Sequence, residues 1–230
     1  MEALPLHISL AFVIITVLTV FVFYKAAGQS RITLFVILSW LILQMLVSYT
    51  GFYTNTEAIP PRSIFFLAPP LLCIFILSIT PSGKSFLSQL DIKTLTLLHS
   101  IRIPVELVLF WLFSYKVIPE VMTFEGRNLD ILSGLSGPFI YYFGFVRQQL
   151  NRTVLLVWNI LCLVLLLNVV IHAILSFPYP FQQFGFDQPN IAVLHFPFVW
   201  LPSCVVPLVL LSHIASIRQL LYPINSSTLT

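Results

Sequence analysis

Apolar runs of about 20 residues recur along this chain, a length that suits a membrane-crossing helix. They cover roughly 4–25, 32–53, 63–80, 95–117, 131–147, 153–175 and 195–220. The breaks between them are short and polar or proline-rich: KAAGQSR, TNTEAIPPR, TPSGKSFLSQLDIKT, VIPEVMTFEGRNLD, RQQLNR and SFPYPFQQFGFDQPN. Backbone placed in hydrocarbon must satisfy its own hydrogen bonds, so each run predicts a helix. The expectation is an all-α integral membrane protein. It forms a single domain over 1–230, built as one bundle of seven transmembrane helices.

The charges fall in register with that alternation. Lys25, Arg31, Lys84, Lys93, Arg147, Arg152 and Arg218 gather on one side, against Arg62, Lys116 and Arg127 on the other. Of the acids outside the runs, Glu2, Glu57, Glu120, Glu125, Asp130 and Asp187 oppose the cations, and only Asp91 accompanies them. The positive-inside rule then predicts an N-terminus outside and a C-terminus in the cytoplasm. Glu2 precedes the first run and Lys25 and Arg31 follow it, the reverse of a secretory signal, so this run is expected to remain as a helix.

Composition agrees. The chain is 58% hydrophobic and 8% charged, where soluble domains carry about 25% charged residues. No stretch is polar enough for a water-facing domain. The lipid bilayer is therefore the first partner, a nucleic-acid partner is not expected, and the expected location is a membrane, on this pattern the bacterial inner (plasma) membrane. Cys73, Cys162 and Cys204 all lie inside apolar runs and read as small packing residues.

Two segments interrupt the pattern. The fifth run, DILSGLSGPFIYYFGFVR, carries Gly134, Gly137, Gly144 and Pro138. This predicts either close helix approach or a broken helix lining a cavity. SGKSFLSQLDIK, between the third and fourth runs, reads equally as an amphipathic surface helix or as a loop.

The candidate chemistry sits where charge is least expected. His99, Arg102 and Glu106 stand at i, i+3 and i+7 on one face of the fourth run, with Pro104 between them. Such residues must face protein or water, and intramembrane ionisable groups are candidate functional residues. The plain alternative is an internal Arg102–Glu106 ion pair at i, i+4. His213, with Ser212 and Ser216, is expected at the depth of His99. The connection after the fourth run adds Glu125, Arg127, Asn128 and Asp130 as a candidate binding loop, although Asp130 also suits the N-cap of the fifth helix.

His7, His172 and His195 are expected at that same face, but no metal-ligand spacing is present and no metal site is assigned. Cross-helix pairs His99/His213 and His172/His195 are the only arrangement that would suit a bis-histidine haem. The lysines sit at run ends, which argues against a retinal Schiff base. No GxSxG, HExxH, P-loop or dinucleotide fingerprint occurs.

The expected function is binding or transport of a small polar molecule or ion through the fourth-helix site. There Arg102 would fix an anionic group, and Glu106 would relay a proton or hold a cation. An intramembrane enzyme acting on a lipid or isoprenoid through the outer acidic groups is the first alternative, and a structural or accessory subunit the second. No cofactor and no oligomeric state is assigned from the sequence.

Overall fold

A computed structural model describes residues 4–222; Glu2 lies outside them. Among the described residues every regular element is helical. The helices are α1 (Leu6–Ala26), α2 (Arg31–Tyr49), α3 (Ile64–Ile79), α4 (Pro81–Gln89), α5 (Ile92–Ser114), α6 (Ile131–Val146), α7 (Arg152–Leu175) and α8 (Leu201–Leu221). Five of these, α1, α2, α5, α7 and α8, are long and apolar enough to cross a membrane.

The third and fifth runs form short helices close to their expected bounds. α3 has 16 residues, and α6 spans Ile131–Val146. At 1.5 Å per residue each measures about 24 Å, against a hydrocarbon core of about 30 Å. α3 stops at Thr80 and the chain turns 95° into α4. SGKSFLSQLDIK is thus largely helix, its Leu87 buried and its Ser85 and Gln89 exposed. The second run ends earlier than expected because Gly51 takes a left-handed conformation (φ 71°). The last begins at Leu201, after a short 3-10 turn at Ala192–Leu194 and Pro197, with Pro202 in its first turn.

The corner between α3 and α4 has a local cause. The Thr80 hydroxyl accepts from Gly83 N at 3.2 Å, with Pro81 at the first helical position. Both choices start a helix. Gly83 then packs against the end of α3, where a Cβ would lie 2.3 Å from the Leu77 carbonyl oxygen.

Hydrogen bonds between elements gather the helix ends into two groups. Asp91 N donates to Ala26 O at 2.8 Å. Gln219 Nε2 donates to Leu87 O and Leu90 O, each at 2.8 Å, and Arg152 Nε donates to Leu220 O. The end of α1, all of α4, the starts of α5 and α7 and the end of α8 therefore meet at one end, with their lysines and arginines. At the opposite end, Gln188 Nε2 donates to Phe113 O at 2.9 Å. Ile191 N and Ala192 N both donate to Val117 O at 3.1 Å. The connections after α5 and α7 are laced together there.

α5 and α8 are the most buried of the long helices and form the centre. α2 is tied to α8 by two tryptophans. Pro207 has no N–H, so the Ser203 carbonyl lacks its helical donor; Trp40 Nε1 donates to it at 2.9 Å. Trp200 Nε1 returns a bond to Leu41 O at 3.0 Å.

Gly83→Ala is expected to destabilise the purified protein by about 1–3 kcal/mol through overpacking at the corner. Ser85→Ala, on the exposed side of α4, is expected to leave the thermal unfolding midpoint unchanged. Equal midpoints for both variants would show that the corner does not depend on that contact.

Candidate functional site

The polar stripe of α5 is set by a change in helical winding. Residues Ile92–Leu98 are α-helical, His99–Ile101 wind as 3-10, and Arg102 resumes the α form. Pro104 removes the donor that the Ser100 carbonyl would use, and its ring crowds that carbonyl, so the turn just before it tightens. His99, Arg102 and Glu106 are all buried, at 0%, 3% and 2% exposure. They point into the bundle.

Arg102 is not paired with Glu106. Its Nη1 donates to Asp130 Oδ1 at 2.6 Å and to Cys162 O at 3.3 Å, and its Nη2 lies 2.7 Å from His213 Nε2. Arg102–Asp130 is the one ion pair among the described residues. The reason is the close approach of α6. Gly134 sits against α5 where a Cβ would come within 2.9 Å of Ile103 Cγ1 and 3.2 Å of Arg102 Cβ. That contact brings the start of α6 alongside Arg102. Asp130 consequently does not cap α6: its backbone is helical and its side chain makes no cap hydrogen bond. Of the two expectations for the fifth run, close packing is what its glycines provide at this point.

Because a guanidinium only donates, His213 Nε2 must accept. The proton of this neutral ring then sits on Nδ1 and is donated to Asn159 Oδ1, 3.1 Å away. Asn159 Nδ2 in turn donates to Leu155 O at 2.9 Å. His99 stacks on His213 with ring centroids 4.0 Å apart and planes at 17°. Trp158 meets the His99 ring edge-on at 5.5 Å and donates through Nε1 to Ser136 Oγ at 2.9 Å. The face-to-face histidines leave no space for a macrocycle between them, so the His99/His213 haem arrangement is overturned.

Glu106 belongs to a separate layer. Asn128 Nδ2 donates to Glu106 Oε1 at 2.6 Å and to Met122 O at 2.9 Å, while Asp130 N donates to Asn128 Oδ1 at 2.9 Å. Seven residues separate His99 from Glu106, so the polar column runs about 10 Å along α5. Several of its buried atoms have no hydrogen-bond partner: both His99 nitrogens, Arg102 Nε and Glu106 Oε2. A lateral groove of about 440 Å³ flanks the column between α6 and α7, lined in part by Ser133, Ser136, Trp158 and Cys162.

Six of the eight expected site residues thus come together: His99, Arg102, Glu106, Asn128, Asp130 and His213. Glu125 and Arg127 are exposed and stand outside the buried cluster. Arg127 lies over the Phe184 ring, 5.8 Å from its centroid. Asn159, Ser133 and Trp158 complete the site without having been singled out in the sequence. Asn159 did carry a signal, as a lone amide in the apolar stretch VLLVWNILCLVLLL. The described residues contain no group of three His, Cys, Asp or Glu side chains placed to hold a metal ion.

Residues 59–221 match the family described as Domain of unknown function (DUF8737). The chain belongs to this family. The DUF8737 match runs from just before α3 to the end of α8 and contains every residue of the polar column. α1 and α2 precede it. No curated protein and no solved structure matches the chain.

The ion pair generates a stability prediction. Removing one partner leaves the other charge buried and costs about 3–5 kcal/mol. Arg102→Met and Asp130→Leu are each expected to lower stability by that order. The double variant should recover much of the loss, giving a strongly non-additive cycle in thermal or denaturant unfolding. Additive losses would show that the two side chains do not act as a pair.

Proposed function

We propose that this protein is an integral membrane protein that binds or transports a small polar molecule or ion at the polar column of α5. The proposed topology has seven crossings. α3 and α6 serve as short spans, the cation-bearing end lies in the cytoplasm, and the N-terminus is outside. On this reading the membrane is the bacterial inner membrane. The grouping of helix ends supports the topology. Seven of the chain's lysines and arginines belong to one end with Asp91 as its only acid, and Arg62, Lys116 and Arg127 belong to the other.

The observation that carries the functional reading is the set of unpartnered buried atoms around a charged network. Burying a polar group without a hydrogen bond costs roughly 1–3 kcal/mol. His99 alone presents two such nitrogens. Packing alone is poorly served by these residues, whereas a site that takes up a small polar species is well served. One observation favours a structural role instead: both Nη atoms of Arg102 are occupied by protein groups. The two readings separate experimentally.

Topology is tested with single cysteines at Lys93 and Glu57 in a background lacking the three native ones. A membrane-impermeant maleimide applied to intact cells is expected to label the Glu57 position and spare the Lys93 position. The opposite pattern would invert the proposed orientation.

Function is tested in liposomes loaded with a pH-sensitive dye, under imposed gradients of protons, sodium or potassium, and with labelled acetate or phosphate as solutes. At least one flux above that of empty liposomes is expected, falling tenfold or more in Glu106→Gln and in His99→Phe, which keeps an aromatic ring against His213. Fluxes equal to empty liposomes, or unaffected by both variants in folded protein, would leave the structural role in place.

A further inference from the structure

Burial and charge balance assign a specific state to Glu106. The cluster holds one guanidinium, two carboxyls and two imidazoles. Arg102 and Asp130 neutralise each other at 2.6 Å. His213 accepts from Arg102 and so is neutral. Glu106 is then a second carboxyl with no cation paired to it, at 2% exposure.

The amide that faces Glu106 is fixed in orientation by backbone groups. Met122 O can only accept, and it takes a bond from Asn128 Nδ2. Asp130 N can only donate, and it gives a bond to Asn128 Oδ1. The amide therefore cannot flip, and what it presents to Glu106 Oε1 is an N–H donor. A metal cation bound between the two side chains would meet that N–H rather than an oxygen. That N–H is open to either protonation state of Glu106; what favours the neutral acid is burial at 2% exposure with one hydrogen bond and no cation of its own. The second oxygen, Oε2, is buried without a partner.

The nearest charges are Arg102, one turn along α5, and Asp130, and these are paired with each other. α1 passes beside α5 with Thr16 and Thr19 already bonded to Phe12 O and Ile15 O. His7, near the start of α1, lies against Trp111, their rings 5.9 Å apart. α8 contributes His213, and the connection into α6 contributes Asn128 and Asp130.

We propose that Glu106 is the proton-binding group of the site: a neutral carboxylic acid, accepting at Oε1 from Asn128 and carrying an exchangeable hydrogen on Oε2. The exchange of that proton rests on the reading of the column as a binding or transport site. The protonated state itself rests only on burial and charge balance.

Infrared difference spectroscopy on the purified wild type in lipid tests it, with Glu106→Gln as the reference. At neutral pH the wild type is expected to show the C=O stretch of one protonated carboxyl that Glu106→Gln loses and the exposed-site variant Glu125→Gln keeps. The band is expected to shift down in D2O, because the hydrogen exchanges. If the difference spectrum shows only ionised carboxylate bands, the proposal is overturned. A protonated band that never shifts in D2O would overturn the exchange. If Glu106→Gln does not fold, solid-state NMR of wild type labelled at glutamate carboxyls decides the matter. One protonated carboxyl signal at neutral pH among the glutamates supports the proposal, and uniformly ionised signals overturn it. These readouts concern the carboxyl directly, so they can succeed or fail whatever the flux measurements give.

Discussion

A guanidinium carries five N–H donors, no acceptor and a charge that protein surroundings do not remove. Arg102 holds that group at 3% exposure, and the arrangement of the helices around it follows from satisfying it. Its partners come from the start of α6 (Asp130), the middle of α7 (Cys162 O) and α8 (His213). One side chain of α5 is therefore bonded to each of the three helices that follow it. No single neighbour could do this, because an isolated buried ion costs several kcal/mol and its counter-ion recovers that only with further hydrogen bonds. Gly134 is the steric condition for it. Without the close contact of α6 on Ile103 and Arg102, Asp130 would not sit within ion-pair distance.

Asp130 is diverted from helix capping, and the other helix starts show what that diversion replaces. At the cation-bearing end, α2, α4, α5 and α7 all begin with a side-chain cap, from Ser30, Thr80, Asp91 and Asn151. At the opposite end, α3, α6 and α8 begin without one. The first group is stabilised locally, each cap contributing about 1 kcal/mol. The second group depends on tertiary contacts: the laced connections after α5 and α7, and the Arg102–Asp130 pair. At α6, the polar column and the uncapped helix start are thus two results of the same sequence choice at Asp130.

The long spans were legible because length and apolarity alone decide them, and the stripe on α5 was legible because i, i+3 and i+7 share a face. The choice of partner was not. Spacing offered only Glu106 at i+4 as a partner for Arg102 and placed Asp130 at a helix cap; the pairing with Asp130 accompanies the glycine contact of Gly134, a packing detail that spacing does not encode. The corner after α3 carried a readable signal in Thr80–Pro81, an N-cap followed by a first-turn proline. A hydropathy window covers that signal because Ile76–Ile79 and Phe86–Leu87 flank it closely. Asn159 was passed over because a single amide in a leucine-rich run barely lowers its hydropathy. Glu125 and Arg127 were grouped with Asn128 and Asp130 by proximity along the chain. The connection separates them: Gly126 fits under the Glu120 carbonyl, where a Cβ would lie 2.2 Å away, and Asn128 is turned inward while its neighbours stay exposed.

The column is chemically uneven along its length, and this narrows what it can do. At its centre, Arg102 cannot also clamp an anion through its Nη atoms without releasing Asp130 or His213, so the role of anion anchor first suggested by its position is the least compatible with its bonding. Apart from Arg102 Nε, the groups with capacity to spare lie at the two ends, Glu106 beside Asn128 and His99 beside Trp158, with the Arg102–Asp130 pair between them. A species entering at either end meets one unpartnered polar group and then a closed charge pair. Passage through the column would therefore require the Arg102–Asp130 pair to open, at a cost of several kcal/mol. Occupancy at one end requires no such opening. On the proposed binding function, the resting geometry accordingly favours two separate small sites over a continuous path, divided by the ion pair that joins α5 to α6.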